Sequence, residues 1–308
     1  MEGPLYWILF NAFVLVALAL DLGVFHKRDA VPTVKSSLLW TLFWIVLSLV
    51  FCGGVYVWMD HGKALDFLTC YLLEKSLSID NLFVFILLFN AFKIPAEYQH
   101  RVLFWGILCA IVLRAVFIFA GAAIVSSFSW TMYIFGAFLI YSGVKSGLPE
   151  KKSANPDEES GTIRVVKKFL HISEVIDGHN FFTKLNGKVV ATPLLAALVV
   201  IEMSDIMFAV DSVPAALSVT TDAFIVYTSN IFAILGLRQL YFAISGIMWR
   251  FRYIKYALAG ILTFIGVKMC FNELSKELAW GVEISNVASL TVIVVLVTAA
   301  MIASSLKK

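Results

Sequence analysis

The sequence predicts an all-α polytopic membrane protein with about nine transmembrane helices. Of its 308 residues, 60% are apolar (AVILMFWYC) and only 15% are charged, whereas ordinary soluble domains have roughly 45–50% and about 25%. A soluble fold of this size cannot hide so much apolar surface from water. The apolar residues come in blocks of about twenty, the length of a helix that spans a bilayer. The roughly ten-residue alternation of a membrane β-barrel is absent.

The charge, the cysteine spacing and the absent motifs argue against several other classes of protein. The formal net charge is +3, and no basic, aromatic-rich patch indicates a nucleic-acid partner. The four cysteines lie in four different apolar blocks without CxxC spacing, which predicts buried thiols rather than disulfides or a zinc site. The HExxH, GxSxG and Walker motifs are absent, so we expect neither an enzyme nor a resident cofactor.

Nine apolar blocks are predicted to cross the membrane in succession. They lie at about 5–25, 38–58, 65–91, 102–124, 129–147, 191–214, 223–246, 254–272 and 285–305. The chain divides into two leading helices (1–63), a first three-helix unit (64–147), a loop (148–190), a second three-helix unit (191–272), and a last helix with a short tail (273–308). The first block follows MEGPLYW, which lacks the basic segment of a signal peptide, so we expect it to remain as a span.

The distribution of basic residues predicts the orientation. With the N-terminus outside, the inner connections contain 18 Lys and Arg residues, and the outer connections contain only Lys63 and Lys276. Cytoplasmic loops of membrane proteins carry such an excess of positive charge. We therefore expect the N-terminus outside and the C-terminus inside the inner (plasma) membrane, with the loop 148–190 in the cytoplasm.

The long loop combines three kinds of sequence. KKSANPDEESG is polar and is expected to be flexible. Apolar residues between Val165 and Ile172 recur at helical spacing beside basic residues, which predicts a short helix on the membrane surface. Asn186-Gly187 between apolar flanks predicts a β-hairpin. The loop is either a structured tether or a regulatory or partner-docking element.

Two parts of the chain resemble each other in sequence. EKSLSIDN (74–81) aligns with DIMFAVDS (205–212), AIVLRAVFIFAG (110–121) with AILGLRQLYFAI (233–244), and YIFGAFLIYSGVK (133–145) with YALAGILTFIGVK (256–268). The two copies begin three spans apart, so they enter the membrane from opposite sides. Inverted repeats of this kind are typical of secondary transporters, whose binding site lies near the midplane between the repeats. Duplicated structural bundles also exist.

Charged residues inside the predicted spans indicate the candidate site, because charge in a membrane is costly and is usually functional or paired. The acids are Asp21, Glu74, Asp80, Glu202, Asp205 and Asp211. The bases are Lys75, Arg114, Arg238 and Lys268. The excess of two negative charges favours a divalent cation, or protons when no metal is bound. Buried carboxyls that stay neutral would also explain it.

The ligand chemistry favours a hard cation. All five histidines lie at span edges or in loops, so the candidate ligands are oxygens, which suit Mg²⁺, Ca²⁺ or Mn²⁺ better than Zn²⁺ or Cu⁺. The candidate metal ligands are Glu74, Asp80, Glu202, Asp205 and Asp211, with Asn81, Ser212, Asn230 and Asp21 as additional candidates. Arg114 and Arg238 are expected to be structural counter-ions. Met203 and Met207 flank Asp205; a thioether ligand would favour Mn²⁺ over Ca²⁺, and packing is the simpler role.

Helical spacing points the candidate acids in two directions. Asp80 and Asp211, each six residues after its partner acid, point about 120° away from that partner on a continuous helix. Either these two acids serve the arginines or a second site, or the helices unwind between the acids. Pro214 and the Ser-rich KSLSID segment permit unwinding. We hypothesise that the third and sixth helices are interrupted.

At these motifs the sequence resembles the TerC family, and most closely its Alx-like members. The segments that carry the resemblance are EKSLSIDNLFVF, IEMSDIMFAVDSVPA, TSNIFAILGLR, YIFGAFLIYSGVK and FFTKLNGKVVATPL, and it covers nearly the whole chain. Members are integral membrane proteins associated with manganese homeostasis, chiefly Mn²⁺ export, and with tellurite resistance and the response to alkaline pH. The resemblance implies that the five motif acids carry the metal.

The combined expectation is a Mn²⁺ exporter with alternating access between inverted repeats. Its partners are the divalent ion, the lipid bilayer and, as the candidate coupling ion, the proton. Two alternatives stay open. One is a Ca²⁺ or other cation/proton antiporter on the same scaffold. The other is a membrane scaffold or assembly factor linked to tellurite resistance, whose acid–arginine pairs only hold helices together.

Overall fold

The computed structural model describes residues 4–25, 32–128, 130–148, 173, 177–185, 188–245 and 253–306. These residues form α1 (Pro4–Phe25), α2 (Val34–Trp58), α3 (His61–Ala91), α4 (Ala96–Ser127), α5 (Thr131–Gly147), β1 (Phe182–Leu185), β2 (Lys188–Ala191), α6 (Pro193–Leu217), α7 (Ala223–Leu235), α8 (Leu237–Ile244), α9 (Ile254–Glu277) and α10 (Asn286–Leu306). Every one of the nine predicted spans is helical, and α7 and α8 together make up the seventh. The all-α prediction is confirmed.

Six helical segments of the described chain are long and apolar enough to cross a membrane: α2, α4, α6, α7 with α8, α9 and α10. α5 has 17 residues, slightly fewer than a full span requires. α3 is long enough, but its middle contains Glu74, Lys75 and Asp80. The protein is therefore a multi-pass membrane protein, and its long helix α3 contains charged residues in its middle.

The hypothesis of interrupted third and sixth helices is wrong. α3 is continuous over His61–Ala91 and α6 over Pro193–Leu217. The serines in these helices leave the backbone helical, and two of them, Ser76 and Ser204, donate to the preceding turn: Ser76 to the carbonyl of Leu72 at 2.6 Å and Ser204 to that of Val200 at 2.8 Å. Pro214 lies in the last turn of α6, where few backbone bonds remain to be lost.

The observed interruption lies at Gly236, between α7 and α8. The Lys75 side chain lies beside it and donates from Nζ to the carbonyl of Ala233 at 3.1 Å. That bond satisfies a backbone acceptor near the end of α7, which the membrane interior requires. Gly236 also packs on Trp44 of α2, whose Cβ would lie 3.1 Å from a Cβ added to the glycine.

Four helices surround the centre of the protein. α3 packs on α6 and α7, and α4 packs on the same two helices. α5 and α9 pair beside this group, α10 covers α9 and α3, and α2 covers α3 and α8. α1 contacts α7 mainly through aromatic side chains, including Trp7 and Phe10 against Phe224.

Glycines bring α5 and α9 into backbone contact. A Cβ on Gly143 would lie 2.8 Å from the carbonyl oxygen of Ala259, and a Cβ on Gly266 would lie 2.6 Å from the carbonyl oxygen of Gly136. Such close approach is available only to helices with small residues at the interface. Gly143 and Gly266 occupy the same position in the two aligned segments, so the interface is formed by equivalent residues.

The predicted hairpin is confirmed in the described part of the loop. β1 and β2 pair antiparallel, and the pairing of Leu185 with Lys188 leaves two residues between the strands. The Arg101 guanidinium lies 5.2 Å from the centre of the Phe181 ring, which connects the base of the hairpin to the start of α4. The predicted surface helix between Val165 and Ile172 lies outside the described residues.

Candidate ion site

Arg114 lies at the centre of the four-helix group and is 1% exposed. One terminal guanidinium nitrogen, Nη1, donates to Glu74 Oε1, to Ser212 Oγ at 3.1 Å and to Asn230 Oδ1 at 3.0 Å. The other, Nη2, donates to Asp205 Oδ1 at 3.3 Å. We call Arg114 and these four partners the Arg114 cluster. It joins α4 to α3, α6 and α7 through one buried cation.

Helix geometry explains why these partners converge. Asp205 and Ser212 are seven residues apart, which is close to two helical turns, so they share one face of α6. Asn230 is fixed because its Nδ2 donates to the carbonyl of Val226 at 3.1 Å, leaving its Oδ1 directed at Arg114. Glu74 is fully buried on α3. A buried carboxylate needs such a partner, because charge without compensation is costly in a membrane.

Several buried oxygens around the cluster have no hydrogen-bond partner among the described residues. They are Glu74 Oε2, Ser78 Oγ, Asn81 Oδ1, Asp205 Oδ2 and both carboxylate oxygens of Glu202. Asn81 also donates from Nδ2 to Asp205 Oδ1, at 3.4 Å. Buried polar atoms are nearly always hydrogen-bonded, and a concentration of exceptions calls for an explanation. Arg114 Nε is also without a partner among the described residues, but the exceptions around it are mostly oxygens, which are the ligands of hard cations.

A small cavity lies next to these oxygens. Its volume is about 10 Å³, and Asn81 and Asp205 supply the polar part of an otherwise mostly apolar wall. That volume is close to the minimum that holds one water molecule. A larger cavity of about 590 Å³ lies between α1, α2 and α7, but apolar and aromatic side chains dominate its lining, so it offers no set of charged ligands.

The predicted acids occupy different environments. Glu74 and Asp205 share Arg114. Glu202 lies one turn before Asp205, with Oε1 3.5 Å from the position that a Cβ on Gly106 would take. Asp211 lies outside the cluster and accepts a hydrogen bond from Ser142 Oγ at 2.8 Å. The side chains of Asp80 and Asp21 lie outside the described part of the structure.

The remaining sequence candidates divide between the site and its surroundings. Asn81, Ser212 and Asn230 belong to the site. Met203 and Met207 do not, because they are 39% and 68% exposed on the outer surface of α6, whereas Asp205 is 5% exposed. The other buried cations have separate places: Arg238 lies in α8, and Lys268 donates to Asn286 Oδ1 at 2.6 Å and Ser289 Oγ at 2.8 Å.

The structure adds two serines to the predicted set. Ser78 follows Glu74 by one turn, so helical spacing was a usable signal for it. Ser142 gave no signal, because one serine in an apolar span resembles many others. Within the described residues, no three His, Cys, Asp or Glu side chains lie close enough to hold a metal ion between them. The cation that occupies the centre is Arg114.

Comparison with known proteins identifies the family. A family profile described as "Integral membrane protein TerC family" matches residues 59–308. The chain is 49% identical to "Uncharacterized membrane protein STKORF319" of Myxococcus xanthus, over 99% of this chain and 93% of the relative. It is 46% identical to "Putative membrane-bound redox modulator Alx" of Escherichia coli (strain K12), over 86% and 85% respectively.

A third relative, from Rickettsia bellii, is named "Uncharacterized membrane protein" and is 42% identical over 98% of this chain and 97% of its own length. No solved structure matches the chain significantly. The family profile covers most of the chain, including every helix of the Arg114 cluster, and the identities extend over nearly full lengths. This protein belongs to the TerC family of integral membrane proteins.

Proposed function

We propose that this protein is a secondary transporter of the inner membrane that exports divalent metal, with Mn²⁺ as its substrate. The observation that carries the proposal is the group of buried, partnerless oxygens around Glu74, Asp205 and Glu202 at the centre of four packed helices. An ion pair that only holds helices together needs no additional unpaired oxygens. A cation-binding site needs them, because each ligand oxygen must be free to turn towards the ion.

The chemistry of the oxygens supports a hard divalent ion. Glu74, Glu202, Asp205 and Arg114 carry a formal charge of −2 among them, which one divalent cation balances. Carboxylate, amide and hydroxyl oxygens suit Mn²⁺, Mg²⁺ and Ca²⁺. Ca²⁺ is the second candidate substrate. We propose Asp80 and Asp211 as further positions on the ion path rather than as members of the central ligand set.

The packing supports alternating access between inverted repeats. Under the sequence repeat α3 corresponds to α6, and α4 to α7 with α8. The pair of α4 with α6 then corresponds to the pair of α7 with α3, and both pairs are in contact. The equivalent glycine contacts of α5 and α9 follow the same relation. A site between two such units can open to either side by rocking one against the other.

Proton exchange is the coupling that we propose. A proton that binds to a ligand carboxylate discharges it and weakens the hold on Mn²⁺, so proton entry and metal exit are natural partners. Mn²⁺ efflux from proteoliposomes should then accelerate when an inward proton gradient is imposed at clamped voltage. Efflux that is indifferent to the gradient rules out the coupling and leaves the transporter proposal standing.

The test of function is Mn²⁺ flux in proteoliposomes that contain wild-type protein, Asp205→Asn or Asp222→Asn at equal reconstitution. The Mn²⁺ flux of Asp205→Asn should be at least about tenfold lower than that of wild type, because the substitution removes a ligand charge from the site. Asp222→Asn is the matched control, since Asp222 caps α7 through the amides of Phe224 and Ile225 and Asn is an equally good cap. Asp222 also pairs with the partly exposed Lys63, so this control removes an ion pair that does not involve the Arg114 cluster. Competition by Ca²⁺ separates the two candidate substrates.

The principal competing interpretation is a membrane scaffold whose acid–arginine pairs only hold helices together. If well-folded wild-type protein shows no Mn²⁺ flux at either sign of the proton gradient, the result would favour the scaffold interpretation. The name of the Alx relatives contains the words "redox modulator"; a redox role through thiol–disulfide chemistry has less support in this chain. Its cysteines, Cys52, Cys70, Cys109 and Cys270, are free and lie in four different helices.

A further inference from the structure

The Arg114 guanidinium occupies the place where the proposed substrate would bind. Its four partners are all oxygens: two carboxylate oxygens from Glu74 and Asp205, the hydroxyl of Ser212 and the amide oxygen of Asn230. They come from three helices and converge on a single cationic group. This is the arrangement of a cation coordination shell, with a tethered cation inside it.

We infer that Arg114 is a built-in stand-in for the transported ion. It neutralises Glu74 and Asp205 while the carrier is empty, and it yields their oxygens when the divalent ion binds. The inference rests on the proposed function, since it describes how the same site changes between its empty and its loaded state. Arg114 is thus a positioning residue of the transport cycle rather than a fixed structural counter-ion.

The energetics of an empty carrier require such a group. Two buried carboxylates without any cation would carry uncompensated charge in a low-dielectric interior, which is strongly destabilising. An exporter must nevertheless return without its metal after each release, and every carboxylate that is not protonated at that stage needs a counter-charge. With Arg114 between the acids, the empty site has an internal cation and can pass through an occluded state.

The hydrogen bonding of Arg114 suits exchange better than permanent locking. Nη1 is shared among three acceptors, and Nε has no hydrogen-bond partner among the described residues. Arg–carboxylate pairs are frequently bidentate, with two parallel bonds that hold the guanidinium in place. Here Glu74 and Asp205 each contribute one oxygen, and their second oxygens stay available. An arriving ion can therefore contact both acids before Arg114 leaves either one.

Lys75, the neighbouring buried cation, has a different place. Its Nζ donates to the carbonyl of Ala233 at the end of α7, so it serves the helix interruption at Gly236. Arg114 is the cation in direct contact with Glu74 and Asp205. Only a change at Arg114 is therefore expected to alter the balance between empty and loaded carrier in the way the inference describes.

Removal of the tethered cation has two opposite consequences. Without competition from Arg114, the oxygens of Arg114→Gln should bind Mn²⁺ more tightly, by about tenfold or more. The empty carrier of this variant should return slowly, because its acids are uncompensated. Exchange of external for internal Mn²⁺ involves only the loaded carrier and should continue. Net efflux requires the empty return and should fall by at least about tenfold.

The experiment compares wild-type protein, Arg114→Gln, Arg114→Lys and the control Lys276→Gln. Lys276 is exposed and pairs with Glu273 at the end of α9, so its loss removes a charge far from the cluster. The readouts are the rise in unfolding temperature on Mn²⁺ addition in detergent, radioactive Mn²⁺ exchange, and net Mn²⁺ efflux. The expected pattern for Arg114→Gln is a larger Mn²⁺-induced rise, retained exchange and lost net efflux, with wild-type behaviour in the control.

Several outcomes would overturn the inference. Weaker Mn²⁺ stabilisation of Arg114→Gln than of wild type would make Arg114 a supporting residue, and unchanged net efflux would make it dispensable. If Arg114→Gln folds only with Mn²⁺ present, that rescue supports the inference. If it folds in neither condition, Arg114→Lys decides, because its ammonium keeps the compensating charge but engages fewer oxygens. Retained net efflux with stronger Mn²⁺ stabilisation in that variant supports the stand-in role, and weaker Mn²⁺ stabilisation refutes it. Wild-type protein without flux or Mn²⁺ stabilisation would instead refute the proposed function.

Discussion

The two three-helix units of this protein have similar sequences but differ in their second helix. In the first unit α4 is continuous over Ala96–Ser127, whereas its counterpart in the second unit is divided at Gly236 into α7 and α8. Arg114 extends from the continuous helix to acids of both units. Arg238, its counterpart, lies just beyond the division. If the two units are repeats, as the sequence predicts, the acids are duplicated and the central cation comes from the first unit alone.

The third helices of the two units behave differently from the second. α5 and α9 meet through glycines at corresponding positions, and each glycine approaches the backbone of the other helix. The same sequence pattern thus gives equal packing at one place and unequal structure at another. Where glycines face a partner backbone, the close contact fixes how the two helices pack. At Gly236, by contrast, the place where the helix divides is in contact with side chains of other helices, including Lys75 and Trp44.

The largest expected effect comes from separating Arg114 from its acids. Arg114→Gln in the metal-free protein should lower the free energy of unfolding by about 3–5 kcal/mol, because it leaves buried carboxylates without a partner. The double variant Arg114→Gln/Glu74→Gln should lose less than the sum of the two single variants, since one uncompensated charge is removed. Denaturant titration in detergent measures all three. Additive losses would mean that the two residues do not form the pair on which the comparison depends.

The glycine contacts predict a matched pair of intermediate effects. Gly143→Ala and Gly266→Ala should each lower the free energy of unfolding by about 1–3 kcal/mol, because the new methyl group would overlap backbone atoms of the facing helix. Gly53→Ala is the control: nothing lies within 4 Å of its added Cβ, so it should stabilise α2 by about 0.5–1 kcal/mol. Unequal losses at the two paired glycines would break the equivalence of the units.

The smallest effects are expected at Asp211. Ser142→Ala removes the donor to its carboxylate and should lower the free energy of unfolding by about 0.5–1.5 kcal/mol. Asp211→Asn keeps an acceptor oxygen for Ser142, so it should change the free energy of unfolding by less than about 0.5 kcal/mol. Both are measured by the same titration as Arg114→Gln. A loss at Asp211→Asn as large as that at Arg114→Gln would place Asp211 in a buried charge cluster of its own.

Much of this fold could be predicted from the sequence because the bilayer imposes simple rules. Each span needs about twenty apolar residues, and all nine predicted spans are helical. The hairpin followed from the Asn186-Gly187 signal. The position of the helix interruption could not be predicted. Gly53 and Gly54 lie inside the continuous α2, so a glycine alone does not determine where a membrane helix divides.

The types of residue in the candidate site could be predicted from the sequence, but the contacts between their side chains could not. Charge in the spans identified Glu74, Asp205 and Arg114, and helical spacing placed Asp205 and Ser212 on one face. Spacing along one helix does not tell which neighbouring helix a face meets. The convergence of four oxygens on Arg114 and the separate bond of Asp211 to Ser142 depend on tertiary packing, which the linear sequence leaves open.

If this protein transports ions as proposed, the small cavity beside Asn81 and Asp205 has a consequence for the rate at which different ions enter. At about 10 Å³, it has space for an ion but not for the water molecules that surround the ion in solution. An ion that enters must first shed most of its hydration shell. Mg²⁺ does so reluctantly, so the narrow cavity would slow the entry of Mg²⁺. Discrimination against Mg²⁺ would then include a kinetic barrier, in addition to any difference in how tightly the carboxylates hold each metal.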